Sequence, residues 1–471
     1  MHKQCDTKQH VFQGLGRRTV VADFDGGTIT SEAGALLLRE IDLGNGILDQ
    51  FATCFRDHRD QRFVDHGVRQ MLAQRVYGLC LGYEDINDHE QLRYDPLFAT
   101  LCDQADVEGK RRLRSEDCGK ALAGKSTLNR LETAGTDVSP ENRYKKIIYN
   151  EHRIARFFVD HFLTHYTNRK APKQIVFDVD ATDDKLHGNQ EGRFFHGYYG
   201  HYCYLPLYIT CDDYLLAAVL RPSNIDACAG ADEELERIIA RIREVWPDVQ
   251  IVVRGDSGFA REWLMSWCEE NNVDFLFGLA KNTRLKRIIG KEMQDARETF
   301  GNTGTAARVF KDFTYRTRKS WSRARRVVGK AEYLPGGENP RFVVTSLSSG
   351  EYPAEHLYTR VYCARGEMEN RIKEQQLFLF ADRTSSATMR ANQLRLWFSA
   401  VAYVLMNELR RVALAGTELA RAQCNTMRLR LLKIGARVTV SVRRVRVQFA
   451  AGYPWQDLFR TALGKIQGAF P

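Results

Sequence analysis

The chain has 471 residues, 44% of them hydrophobic and 27% charged, with 11 prolines. That is enough apolar material for a substantial core in several folding units, and it excludes a disordered, collagenous or low-complexity chain. Lysine and arginine number 69 against 59 acids, a net charge of +10, which fits a polyanionic partner.

Residues 1–30 read as irregular or β-like, and the start, Met1-His2-Lys3-Gln4-Cys5-Asp6, lacks the apolar core of an export signal. No run reaches the roughly 18 apolar residues of a membrane span, so a cytoplasmic location is expected. From Ser31 to about Leu163 the pattern is helical, as in Val68, Met71, Leu72, Val76 and Leu79. The basic cluster Lys110–Arg114 falls in a connection. Gly119–Ser126 satisfies the phosphate-loop pattern G-x4-G-K-[ST]. The residues before it are charged, however, and cannot form the buried strand that such a loop follows. The expectation is a plain helix start at Ser126, or the reading helix of a helix-turn-helix.

After Ala171-Pro172 the texture turns to β. Strands are expected at Gln174–Asp180, Tyr204–Cys211 and Leu215–Leu220. A helix over Asp232–Val245, a strand Val249–Val253, a helix Arg261–Asn271 and a strand Val273–Leu279 follow. This order predicts an α/β unit, a mixed sheet with helices on its faces. Residues 285–360 read as β-prone, basic and loop-rich, and 366–381 and 388–413 as long helices. The tail ends in a basic, β-like stretch, Arg437–Phe449.

Eleven scattered cysteines, with no Cys-x-x-Cys pair, argue for reduced thiols rather than a zinc ribbon or a disulfide framework. Two blocks carry the positive charge. Residues 316–330 hold seven basic side chains and no acid, and residues 421–446 hold eight and no acid. Such blocks favour a polyanion over an ordinary solvated face, which mixes signs.

Three segments are candidates for chemistry. Gln174-Ile175-Val176-Phe177-Asp178-Val179-Asp180 is apolar except for two aspartates, which alternation places on one face. Buried carboxylates need a partner, and a divalent cation is one. Asp178 is the rival to Asp180 for that role. Ile251-Val252-Val253-Arg254-Gly255-Asp256-Ser257-Gly258 delivers Asp256 to the end of a second apolar strand, where ligands bind in α/β sheets. The third segment is Tyr362-Cys363-Ala364-Arg365-Gly366-Glu367-Met368-Glu369-Asn370-Arg371-Ile372-Lys373-Glu374. If that segment is helical, Glu369 and Lys373 lie one turn apart on a polar face; the bland alternative is a salt-bridged surface helix.

These segments resemble the DDE transposases of bacterial insertion sequences, in the group with a β-rich insertion and a Tyr-Arg-Glu-Lys signature. Asp180-Ala181-Thr182 is similar to that group's first-aspartate motif and Asp256-Ser257-Gly258 to its second. Tyr362, Arg365 and Glu369 keep the Y-x2-R-x3-E spacing. The signature lysine, expected seven residues after Glu369, is Gln376, and Lys373 is its candidate substitute. The resemblance implies an RNase H-like core with Asp180, Asp256 and Glu369 as catalytic and metal-binding residues. It implies two Mg²⁺ ions, about 4 Å apart, for which Mn²⁺ can substitute, and Tyr362, Arg365 and Lys373 on DNA. The implied partners are transposon-end DNA with terminal inverted repeats, target DNA and a second copy of the chain in a synaptic dimer at the bacterial nucleoid. The implied organisation is a helical DNA-binding region over 1–170, an RNase H-like core over 171–284 and 361–413, a β insertion at 285–360 and a basic tail at 414–471. A junction resolvase and a DNA-binding repressor with a decayed site are the alternatives.

Two further features have two readings each. Trp321, between Lys319 and Arg323, is either an exposed ring that stacks a displaced base, as an insertion aromatic does in related transposases, or a packed hairpin residue. Arg323, Arg325 and Arg326 beside it are candidate phosphate contacts. His187, His196 and His201, amid Phe194-Phe195 and Tyr198-Tyr199, are either a zinc site or a connection into a strand. Asp183 and Asp184 are expected in a turn.

Overall fold

The computed structural model describes residues 9–138, 144–166 and 170–470. The chain divides into two compact units. One comprises the residues up to Asp49, His58–Arg130 and Glu408 onward; the other comprises Gln50–Asp57 and Leu131–Asn407.

In the first unit, helices Leu36–Asn45, Val68–Leu81 and Pro96–Leu101 contribute buried apolar side chains, and Val68–Leu81 is buried from Met71 to its end. Residues 414–470 fold within this same unit. Strand Ala436–Ser441 pairs with Arg444–Phe449 and, across the whole length of the sequence, with Ile29–Thr30. Arg428 is buried and donates to the carbonyls of Leu79 and Cys80, capping the last turn of Val68–Leu81 with a cation. Of the 421–446 block, Arg437, Arg443, Arg444 and Arg446 stay exposed on the terminal hairpin.

The second unit is built on a mixed sheet whose strands are β1 (Gln174–Ala181), β2 (Leu207–Cys211), β3 (Tyr214–Val219), β4 (Gln250–Gly255), β5 (Asp274–Leu279), β6 (Ala307–Tyr315), β7 (Arg325–Leu334) and β8 (Arg341–Thr345). Their spatial order is β3-β2-β1-β4-β5-β8-β7-β6, with a short strand, Gly337–Glu338, added on β7. β1 is antiparallel to β2 and parallel to β4, and β4 is parallel to β5. Helices α1 (Ala231–Val245) and α2 (Glu262–Glu270) lie in the connections that enter β4 and β5. The α1 residues Leu235, Ile238, Ile239 and Ile242 repeat at helical spacing and cover one sheet face together with Phe177, Val179, Ile251, Val253, Phe275 and Phe277.

The opposite face carries Val176, Val252, Leu276, Val328 and Val343. It is covered by Leu357, Tyr358, Val361 and Tyr362. These belong to a helical segment that starts at Ala354, earlier than the expected 366. It passes through a wide π turn (Leu357–Tyr362), a tight 3₁₀ turn (Cys363–Arg365), α3 (Gly366–Lys373) and a second π turn (Glu374–Phe378). Such irregular turns re-aim side chains, and they recur at functional sites. The long helix α4 (Met389–Ala413) follows.

Two expectations change. The start of the stretch read as β-prone is helical, over Thr283–Ile288 and Gly290–Thr303. Only a narrow stripe there, including Met293 and Ala296, is buried, so the apolar period is faint. The β-rich stretch is also continuous with the main sheet, because β8 pairs antiparallel with β5. No helix among the described residues is long and apolar enough to cross a membrane. Their ten cysteines are all free.

Candidate active site

The parallel ladder between β1 and β4 sets the site. Arg254 stands opposite Asp178 and Gly255 opposite Val179, so the next residue, Asp256, leaves β4 beside Asp180. Asp178 and Asp180 lie on the face of Val176, the face that the 354–378 helical segment covers.

The two aspartates of β1 have different fates. Asp178 is buried, and both its oxygens accept from Arg254, at 2.6 and 2.7 Å. Arg254 also donates to the carbonyl of Val361, which ties the sheet to the covering helix. The Asp178 carboxylate is thereby consumed in an internal ion pair. Asp180 instead accepts from the backbone N–H of Ala181 at 3.0 Å and from Arg365 at 3.0 Å. Its side chain is 16% exposed. Burial pushes its pKa up to about 6; the Arg365 charge opposes that rise and the Asp256 charge adds to it.

Asp256 accepts from the N–H of Gly258 at 2.8 Å, inside the turn that ends β4. Gly278 on β5 lets the covering helix approach this turn. A Cβ there would lie 2.6 Å from the Tyr362 hydroxyl and 2.9 Å from the Ser257 nitrogen. Burial raises the Tyr362 phenol, while Arg365 pulls it down and Asp256 pushes it further up. Arg365 is the hub. Its guanidinium reaches Asp180 at 3.0 Å and Glu369, one turn on, at 3.2 Å. Glu369 is half-exposed at the rim. Among the described residues, Asp180, Asp256 and Glu369 do not each bring an oxygen within 4.8 Å of the others. A side-chain cation bridges two of them instead. The donor set, three hard carboxylate oxygens with one acid raised by burial and by a neighbouring acid, suits a divalent cation.

Lys373 is exposed on α3. Gln376, at the signature-lysine position, points away from solvent. Its amide donates to Asp184 at 2.9 Å and to the Asp183 carbonyl at 3.2 Å. Asp184 is therefore not a turn residue. It pairs in a short strand with Tyr204, is fully buried, and burial pushes its carboxyl up to about 8.

The basic stretch after β6 also differs from its sequence reading. Trp321 is 5% exposed, set edge-on to Tyr315 within the main core. It is the packed hairpin residue, and the exposed-ring expectation is corrected. Arg325 is equally buried, paired with Glu262 at 2.6 Å and Glu269 at 2.7 Å on α2. Against the burial of Glu262, hydrogen bonds from Arg325 and Ser322 pull its pKa down to about 2. Arg326 pairs with Asp312 at 2.5 Å. The block is acid-free along the chain but not in space. Arg316, Arg318, Lys319 and Arg323 remain exposed.

The phosphate-loop pattern has a structural answer. The N–H of Lys125, at the start of helix Lys125–Glu132, donates to the Glu90 carboxylate at 2.7 Å. An anion already occupies the place a phosphate needs. The histidines near 196 do not assemble into a three-ligand group among the described residues; His201 bonds Asp183 at 2.7 Å.

Residues 12–470 match the family described as transposase DDE domain, group 1. The chain belongs to that DDE transposase family. No curated protein matches it. What residue-by-residue reading of this transposase missed is Arg254, although a signal was there. A charged residue two before Asp256, in an otherwise apolar strand, mirrors Asp178 two before Asp180, and paired parallel strands bring the two charges together.

Proposed function

We propose that the transposase cleaves the ends of its mobile element and joins them to target DNA at a site formed by Asp180, Asp256 and Glu369. The observation that carries this reading is the joint placement of Asp180 and Asp256 at the ends of adjacent parallel strands, with Arg365 linking Asp180 to Glu369. The strand order β3-β2-β1-β4-β5, with β2 alone antiparallel to its neighbours, supports an RNase H-like core. Asp180, Asp256 and Glu369 are the residues that would hold divalent cations, Mg²⁺ or Mn²⁺. Such ions supply charge neutralisation at the attacking and leaving oxygens of a phosphodiester.

The chain's own contributions follow from the contacts. Asp178–Arg254 locks the strand that presents Asp180. Gly258 N–H orients the Asp256 carboxylate. Arg365 keeps the acids together before substrate arrives. Once released from them, it offers a two-pronged donor to a phosphate, with Tyr362 donating one hydrogen bond from its phenol. Lys373 and the exposed arginines at 316–323 and 437–446 track the DNA backbone. Terminal inverted repeats and target DNA are the substrates, and a dimer of the chain is the working form.

The test is cleavage of DNA carrying the element's ends, with binding followed in parallel by gel shift. Asp180→Asn, Asp256→Asn and Glu369→Gln should each bind and not cleave. A variant that cleaves at the wild-type rate removes its residue from the site, and wild-type protein that neither binds nor cleaves sinks the reading.

A further inference from the structure

Four residues past Asp180 the chain enters a small three-stranded sheet, Asp184–Lys185, His201–Tyr204 and Phe194–His196, which none of the proposed chemistry uses. The register pairs Phe195 with Tyr202 and His196 with His201. Directly opposed residues share a face, and the faces alternate. His196 and His201 therefore point one way, where Tyr199 joins His196 at 4.8 Å between ring centroids and His201 bonds Asp183. Burial, then the charges of Asp183 and Asp180, raise the Tyr199 phenol to about 12, which places this inner face in the field of the candidate site.

The outer face is different. Phe195 and Tyr202 meet edge to face at 5.6 Å, and the Arg193 guanidinium lies 4.5 Å from the Tyr202 ring centre. Arg193 is fixed there by a bond to the Gly188 carbonyl. Phe195 is 58% exposed, Tyr202 44%, and Tyr198 at the tip 87%. The platform is also anchored from below, since Ser223 donates to the Phe194 carbonyl and Tyr204 to the Glu191 carbonyl. Rings held rigid, open to solvent and mixed with a cation suit a flat, anionic, partly apolar ligand.

We propose that this hairpin is a stacking platform for unpaired bases of the DNA strand processed at Asp180, Asp256 and Glu369. The inference rests on the transposase site proposed above. Its occupant is argued from continuity with that site through Asp183 and His201, and from the positive charge of Arg193 among the rings. Duplex DNA hides its base faces and has little use for such a surface.

The experiment uses the full chain with Asp180→Asn, which blocks turnover, and a short single-stranded oligonucleotide containing 2-aminopurine. Stacking should quench its fluorescence on binding. Tyr202→Ala and Phe195→Ala should each weaken single-strand binding about tenfold and lose the quench, in line with the worth of one base–aromatic stack. Tyr202→Phe should keep both, and duplex binding should be unchanged. The rings are exposed, so thermal unfolding should match the parent. Equal affinity and quench in the alanine variants overturn the platform while leaving the transposase reading intact. Absence of any DNA binding by the parent overturns both. A fall in oligomeric state in the alanine variants, with oligonucleotide binding unchanged, overturns the platform and gives the surface to a second copy of the chain.

Discussion

Replacing Asp178 and Asp180 separately with asparagine should give effects of opposite kind, although the two sit two residues apart on one strand face. In Asp178→Asn the buried Arg254 keeps its charge and meets a neutral amide, whose one oxygen can still accept while its NH2 opposes the guanidinium donors; the Val361 carbonyl is retained. Breaking one side of a buried pair costs about 3–5 kcal/mol. At roughly 2–4 °C per kcal/mol for a unit of this size class, the melting temperature should fall by about 6–20 °C. For Asp180 the sign reverses. Unfolded aspartate ionises near pH 4, whereas the folded group ionises near 6. Stability is therefore lost as pH rises between those values, and by pH 8 the ionised, mostly buried carboxylate costs about 2–3 kcal/mol. An amide removes that cost, so Asp180→Asn should melt at or above the wild-type temperature in metal-free buffer at pH 8, and should not cleave. Differential scanning calorimetry with an end-cleavage assay reads both. If Asp180→Asn unfolds as early as Asp178→Asn, or if Asp178→Asn stays folded and dead while Asp180→Asn cleaves, the division of roles is wrong.

Arg365→Ala should tighten Mg²⁺ binding at pH 8.5, measured by calorimetry without DNA, by about tenfold. The incoming ion then no longer displaces a cation held by charge-assisted hydrogen bonds worth about 1.5 kcal/mol; weaker binding would mean that Arg365 builds the metal site rather than filling it. Asp184→Asn should stabilise the protein near pH 8 and lose that advantage towards pH 4. The buried acid stays protonated in the fold up to about 8 while the unfolded one ionises from about pH 4; a pH-independent difference in melting temperature would refute the burial argument. Arg325→Ala should destabilise by about 3 kcal/mol by stranding Glu262 and Glu269. Arg323→Ala should leave stability unchanged and lower the slope of log affinity against log salt by about 0.9 if it meets one phosphate. A reversed pattern in urea melts and salt titrations would return Arg325 to the DNA surface.

Much of the second unit was legible in the chain. Gln174–Ala181 and Gln250–Gly255 are mainly apolar runs of strand length with an aspartate next to their ends, Asp180 and Asp256, and burial on both faces of a sheet leaves few other residues able to fill them. The Leu235, Ile238, Ile239 and Ile242 stripe is the period of a helix lying on that sheet. The spacing of Tyr362, Arg365 and Glu369 needs no tertiary knowledge to notice. What local pattern cannot supply is partnership between distant segments. Whether Asp178 or Asp180 is free for chemistry depends on Arg254, 76 residues beyond Asp178 and brought to it only by the β1–β4 register. Whether Arg325 meets phosphate or carboxylate depends on α2, which lies some 60 residues earlier. Gln376 could be seen to break a signature, but not to hold a buried acid. Local sequence specifies backbone period and which side chains must leave water; a charge acquires its partner, and with it its protonation and its role, only when the sheet closes around it.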